Sequence, residues 1–169
     1  RPADIDLRTK EGKAWRDKNA GREILSPDDD AAVRMAADAV RKSADAQYLL
    51  GRCPNREHGI VQTFGGIEIK GKLDAYGTDE AGKPIIVDFK TTSNADPEEW
   101  GRKAFSLRYP MQTAWYQSLL ALELGLDEPP AYFWLCVETQ EPYDVVIYQP
   151  PEEALEIGRA QMKHCVELY

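Results

Sequence analysis

Apolar and polar residues alternate with period two through Ile67–Ala75 and again through Ile85–Lys90. Between the two runs lies a polar segment, Thr78–Lys83, that carries Gly82. The pattern predicts a β-hairpin. On its first arm Ile67, Ile69, Leu73 and Ala75 share one face, and Glu68, Lys70, Lys72 and Asp74 the other. On its second arm Ile85, Val87 and Phe89 oppose Ile86, Asp88 and Lys90, so Asp88 and Lys90 point the same way. A hairpin centred near Ala81 sets Asp74 directly across from Asp88.

The remaining elements follow in chain order. A short helix is expected from Thr9 to Asn19, ended by Gly21. Ser26-Pro27-Asp28-Asp29-Asp30 starts a long helix: serine caps, proline takes the first helical position, and the acids complement the dipole. It should run to Leu50, with Val33, Ala36, Ala37, Val40, Ala44 and Tyr48 as its buried stripe. A first strand is expected over Gly59–Phe64, turning at Gly65-Gly66 into the hairpin. Asp96 and Pro97 start a helix over Trp100–Phe105; Ser106–Tyr109 is a loop. Pro110 opens a helix over Met111–Leu124, ending at Gly125, with Ala114, Trp115, Leu119 and Leu122 inward. Ala131–Glu138 is almost wholly apolar, as a strand buried on both faces should be. Tyr143–Gln149 returns as a strand, and Pro150-Pro151 leads into a helix from Glu152 to Leu168 with Leu155, Ile157, Ala160, Met162 and Val166 as its stripe. Helices flanking a mixed central sheet, the α/β class, in one domain over 1–169, is the expected architecture.

Composition narrows the function classes. No apolar run approaches the ~20 residues of a membrane-spanning helix. Three scattered cysteines, Cys53, Cys136 and Cys165, without a Cys-x-x-Cys pair, point to a reducing compartment and away from a zinc or iron–sulfur site. A net charge of −8 looks wrong for a nucleic-acid binder until it is located. From Leu122 onward ten acids face two bases, whereas residues 1–121 are balanced. The acidity therefore belongs to the C-terminal part and need not face a nucleic acid. The basic residues Arg1, Arg8, Lys10, Lys13, Arg16, Lys18 and Arg22 read either as a solvated arm or as a DNA-backbone contact.

Like charges directly opposed on a sheet destabilise it. A hard divalent cation favours an opposed Asp74–Asp88 pair, since Mg²⁺ takes one or two carboxylates plus waters and phosphate oxygens. Lys90, two residues on, can then hold a water or stabilise charge on a reacting phosphate. Against this stands the plainer reading, a solvated strand face with Asp and Lys at alternate positions, and such short patterns recur by chance. Gln112 and Tyr116, one helical turn apart, read as core caps or as contacts to a nucleotide. Glu57 reads as a surface carboxylate or an outer metal-site group; His58 and His164 read as surface histidines.

The order helix, strand, hairpin with Asp…Asp-x-Lys, then a helix with Gln-x-x-x-Tyr resembles the PD-(D/E)XK nuclease superfamily, in its Gln-x-x-x-Tyr branch. Within that branch it looks like the RecE-type exonucleases (exonuclease VIII) of phage and prophage recombination. The pieces that carry the resemblance are Leu7-Arg-Thr-Lys-Glu-Gly-Lys13, the helix Ile24–Leu50, Gly71-Lys-Leu-Asp74, Val87-Asp88-Phe89-Lys90-Thr91-Thr92 and Arg108-Tyr109-Pro-Met-Gln112-Thr-Ala-Trp-Tyr116. By resemblance the core is restriction-endonuclease-like, Asp74 and Asp88 are metal ligands with the Phe89 carbonyl as a third, and Lys90 is the catalytic lysine. Gln112 and Tyr116 are implied to position substrate or the lysine, and Thr91, Thr92 and Arg108 to meet substrate. The family further implies Mg²⁺, with Mn²⁺ as a substitute, and 5′-to-3′ degradation of one strand of linear double-stranded DNA from a free end. It implies a homo-oligomeric ring, a single-strand annealing partner, and the cytoplasm of a bacterium or phage-infected cell.

Members of this group carry an upstream segment whose helix offers a histidine to the metal. The chain opens on Arg1, after that position, and His58 and His164 do not match it: a trimmed piece is the first expectation, a site completed differently or weak cutting the others. Two alternatives stand beside the leading one. A structure-specific or Cas4-like nuclease of the same superfamily calls for a four-cysteine cluster in the Cas4 case. An inactive DNA-binding or assembly module calls for binding without turnover.

Overall fold

The structure, a computed structural model, describes residues 5–22 and 24–168; Arg1 of the basic arm lies outside them. One sheet runs in the order β1 (Asn55–Phe64), β2 (Ile67–Thr78), β3 (Pro84–Thr92), β4 (Ala131–Glu138) and β5 (Val145–Tyr148). All neighbours are antiparallel except β3 and β4. A parallel pair needs a crossover, and here it is α4 (Pro97–Ser106) and α5 (Tyr109–Leu124). With α1 (Lys10–Lys18), α2 (Pro27–Lys42), α3 (Ala44–Gly51) and α6 (Glu152–Glu167), the described residues form six helices around a five-stranded mixed sheet.

Period two on β3 and β4 sorts their side chains into two cores. Ile86, Tyr132 and Trp134 join Trp100 of α4 and Leu119 of α5. Ile85, Val87, Leu135 and Val137 join Val40 of α2 and Leu49 of α3. The β4 run is apolar because both of its faces are covered. Caps follow the sequence signals. The side chains of Thr9, Ser26 and Asp96 accept hydrogen bonds from the first-turn amides of α1, α2 and α4, and Gly125 at φ +65 closes α5.

Several expectations are corrected. The helix over Ser26–Leu50 is two helices. Ser43 leaves helical geometry at ψ 113, ends α2, and caps α3 by accepting from the Ala46 amide. Serine competes with the helical ladder in this way, and a cap rewards it. The stripe on α2 is correspondingly reduced: Val40 is buried, but Val33 is 57% exposed. On α5, Leu122 is exposed, while Thr113 and Gln117 turn inward, Gln117 donating to the Pro130 carbonyl at 2.7 Å. On α6, Ile157 is exposed and Gly158 is buried because Pro110 packs onto it. The last strand starts at Val145, since Tyr143 sits in a turn with φ +59. β1 begins at Asn55, so Glu57 and His58 lie within a strand. His58 pairs there with Glu123 at 2.7 Å.

One further difference bears on function. The β1–β2 ladder keeps a single register from Asn55↔Tyr76 to Phe64↔Ile67 but skips the Glu57/Asp74 position, where Glu57 takes φ +51. Such a φ is uncommon outside glycine and bends the strand. Below the break Ile69 and Leu73 pack into the α4–α5 core; above it Ala75 packs into the α2–α3 core. The single face expected for Ile67, Ile69, Leu73 and Ala75 therefore splits at Asp74.

Candidate active site

The β2–β3 ladder runs from Thr78↔Pro84 to Ala75↔Val87 and stops. Continued by one step, that register sets Asp74 opposite Asp88, as a centre at Ala81 requires. Beyond this point the strands part. Residues 67–73 of β2 pair only with β1, and Asp88–Thr92 of β3 pair with Trp134–Glu138 of β4. The Asp74 side chain occupies the fork: its Oδ2 accepts from the Phe89 amide at 2.8 Å, taking the place of a ladder partner.

Asp88 and Lys90 lie on the α4–α5 side of β3 and are buried, 3% and 9% exposed. Lys90 Nζ is 2.5 Å from Asp88 Oδ2, an ion pair by distance that lacks the alignment of a hydrogen bond. Lys90 Nζ also donates to Gln112 Oε1 at 2.9 Å, and Gln112 Nε2 faces the Tyr116 hydroxyl at 3.3 Å. Gln112 is thereby oriented with its oxygen to the ammonium, because an ammonium offers donors only. Burial lifts the Asp88 carboxyl to about 6; Lys90 opposes the rise and the Asp74 charge adds to it. The Tyr132 hydroxyl, fully buried beside Asp88, is pushed well above its ordinary range by the same burial and by that carboxylate.

A divalent ion fits this donor set. The buried Asp88 Oδ2 has no aligned hydrogen bond, and a second carboxylate stands close enough to raise its proton affinity. Both are hard oxygen donors of the kind Mg²⁺ takes in ones and twos, leaving its other positions to water and phosphate. Among the described residues, no cluster of three or more His, Cys, Asp or Glu could hold a metal by itself, so any ion here leans on backbone oxygen, water or substrate for the rest of its shell.

The sequence model of a PDDEXK-like domain of unknown function (DUF3799) matches residues 9–169. The chain belongs to that PDDEXK-like family. No curated protein matches it. Among solved structures, the PDDEXK-like domain is similar to a candidate exonuclease from Eubacterium rectale, with 18% identity and a TM-score of 0.55 over 93% of this chain. It spans 58% of that protein's length. A phage-related exonuclease from Haemophilus somnus 129PT aligns over 95% of this chain and 85% of its own, with 14% identity and a TM-score of 0.46. At such identities the likeness concerns the fold. PDDEXK nucleases generally use divalent metals.

The other residues singled out in the sequence of the PDDEXK-like domain scatter around this centre. Arg108 is exposed and holds a left-handed turn, φ +56, at the start of α5. Thr91 is exposed, and its carbonyl accepts from Lys103. Thr92 turns inward at 2% exposure, and its hydroxyl donates to the Asn94 carbonyl and closes a turn. Glu57 pairs with Lys72 at the strand break. Two aromatic neighbours of the site were given no role by sequence reasoning. Tyr132 is hidden in an apolar strand and carries no local signal. Tyr109 could have been found, because Tyr109, Gln112 and Tyr116 fall at i, i+3 and i+7 of one helical stripe.

Gly71 lets that stripe approach. A Cβ there meets Leu119 Cδ1 at 2.6 Å and Tyr116 Cε1 at 2.9 Å. We expect Gly71→Ala to cost about 1–3 kcal/mol in chemical denaturation, as overpacking does, and to displace Tyr116 from Gln112. Unchanged stability contradicts the close approach.

Proposed function

We propose that this PDDEXK-like domain is a metal-dependent deoxyribonuclease of the RecE type that removes nucleotides 5′-to-3′ from the ends of linear double-stranded DNA during recombination. The observation that carries the reading is the convergence of Asp74, Asp88 and Lys90 where β2 and β3 part. Asp74 and Asp88 are assigned as metal ligands, with the Phe89 carbonyl as a third. When bound, Mg²⁺, or Mn²⁺ in its place, supplies Lewis-acid stabilisation of charge on the phosphate and eases deprotonation of water. Lys90 orients the attacking water and offers fixed positive charge to the phosphate oxygens in a site from which bulk water is largely excluded. Gln112 keeps the ammonium aimed, and Tyr116 presents a hydroxyl on the same stripe. Arg108 and Thr91, both exposed, are assigned to the DNA backbone.

A ring-shaped homo-oligomer and a single-strand annealing protein are the proposed partners, in the cytoplasm of a bacterium or phage-infected cell. Among the described residues no helix is long and apolar enough to cross a membrane. Three scattered cysteines speak against the Cas4 alternative.

End-labelled linear duplex and covalently closed circular duplex, each incubated with Mg²⁺, test the proposal. Release of nucleotides from linear molecules alone, with the 5′ label lost first, is the expected result. Nicking of circles assigns a structure-specific endonuclease instead, and tight DNA binding without turnover assigns an inactive module.

A further inference from the structure

The Lys90 ammonium has three directions in which to donate. Gln112 Oε1 accepts along one at 2.9 Å, and Asp88 Oδ2 lies on a second side as an ion partner at 2.5 Å. On a further side lies the ring of Tyr109, with its centroid 4.4 Å from Nζ. The ring has little freedom. Trp100 lies against it at 5.6 Å between centroids and Trp134 at 6.4 Å, and Trp100 is in turn stacked on Tyr148 at 6.0 Å. The left-handed turn at Arg108 starts α5 at Tyr109, which places this ring and Gln112 on the same side of the helix. A cation at the first turn of a helix sits at the unfavourable end of the dipole. The negative face of an aromatic ring offsets that, most strongly where the ammonium has lost its water.

Resting on the nuclease reading of the site, we propose that Tyr109 is a positioning residue: its ring face holds the Lys90 ammonium in line between Asp88 and Gln112. The contact is to the ring and not to the hydroxyl, so phenylalanine serves and an aliphatic side chain does not. Without the ring the ammonium swings and rehydrates, and its charge leaves the direction in which the phosphate is met. Substrate binding along the DNA backbone is untouched. The loss therefore falls on kcat and not on KM.

The test combines NMR of the full chain with single-site kinetics on linear duplex in Mg²⁺. Lys90→Met assigns the Lys90 ε-methylene signal by its disappearance. In the wild type and in Tyr109→Phe that signal is expected upfield of the exposed lysines through the ring current. In Tyr109→Leu and Tyr109→Met it returns to the common position, and kcat falls on the order of tenfold with KM unchanged. An unshifted Lys90 signal in the wild type overturns the proposal. So does a folded Tyr109→Leu or Tyr109→Met protein with wild-type kcat, or a folded Tyr109→Phe that loses both signal and kcat. A wild type that cuts no duplex sinks the nuclease reading alone; the ring-current shift then decides by itself whether Tyr109 holds Lys90.

Discussion

Lys90→Met lowers Mg²⁺-dependent release of nucleotides by roughly 10²–10³-fold, the usual cost of removing one preorganised charge from a reacting centre, and leaves the domain folded. The size follows from placement. Lys90 is buried, fixed by Asp88 and Gln112, and faces the fork in the sheet. A group so held needs no reorganisation as charge develops on phosphate, and water has little access to screen it. Folding survives because methionine keeps the stem that packs in this layer, and because Asp88, losing its partner, can take up a proton rather than remain as a bare buried charge. Asp88→Asn is expected to abolish turnover by the other route, removal of an oxygen proposed to ligate the ion. Single-turnover kinetics with circular dichroism check both. A Lys90→Met protein that cuts at the wild-type rate removes the lysine from the mechanism.

The second large effect is on stability against pH. Asp88 stands at about 6 in the folded protein against an ordinary 3.8. A carboxyl raised on folding contributes stability that is fully present below its unfolded value and is lost as pH climbs through the folded value. The metal-free protein therefore loses on the order of 2–3 kcal/mol from this group between about pH 4 and 6. Exposed carboxylates held low by a neighbouring arginine, such as Asp30 with Arg34, pull the other way in the same scan. The quantity to read is thus the difference between wild type and Asp88→Asn. Urea melts at pH 4 and pH 6.5 should show asparagine gaining on the wild type over that interval. On the proposed metal site, a divalent ion is expected to reverse the trend in the wild type, because its affinity for the ionised pair grows as the proton leaves. Parallel curves for the two proteins contradict the burial that lifts Asp88.

Much of this centre is legible in the sequence because it depends on short-range geometry. The polar link Thr78–Lys83 fixes the midpoint of the hairpin, and the midpoint fixes the opposition of Asp74 and Asp88. Period two brings Asp88 and Lys90 to one side, and helical spacing does the same for Gln112 and Tyr116. The places where the reading departs from the structure depend on contacts distant in the chain. Alternation along β2 says nothing of the break at Asp74, which needs Glu57 of the neighbouring strand in a left-handed conformation. Ser43 looks like one more residue inside a long helix until α3 takes a direction of its own. Leu122 and Val33 have the right period to be buried and meet nothing that buries them among the described residues. Thr92 sits in the motif but spends its hydroxyl on a turn. Tyr132 approaches Asp88 from another strand, and no local pattern announces that; Tyr109 shares the helical stripe of Gln112 and Tyr116, but the stripe does not say that its ring meets Lys90.

The central claim is that two carboxylates from parting strands share one divalent ion beside a fixed ammonium. Calorimetric titration of Mg²⁺, and of Mn²⁺, into the wild type, Asp74→Asn and Asp88→Asn measures this most directly. The account predicts saturable binding by the wild type, proton release on binding near pH 6, and loss of binding in each asparagine variant with the fold retained. Binding isotherms that are the same in all three proteins, or no ion bound by the wild type at millimolar concentration, contradict it.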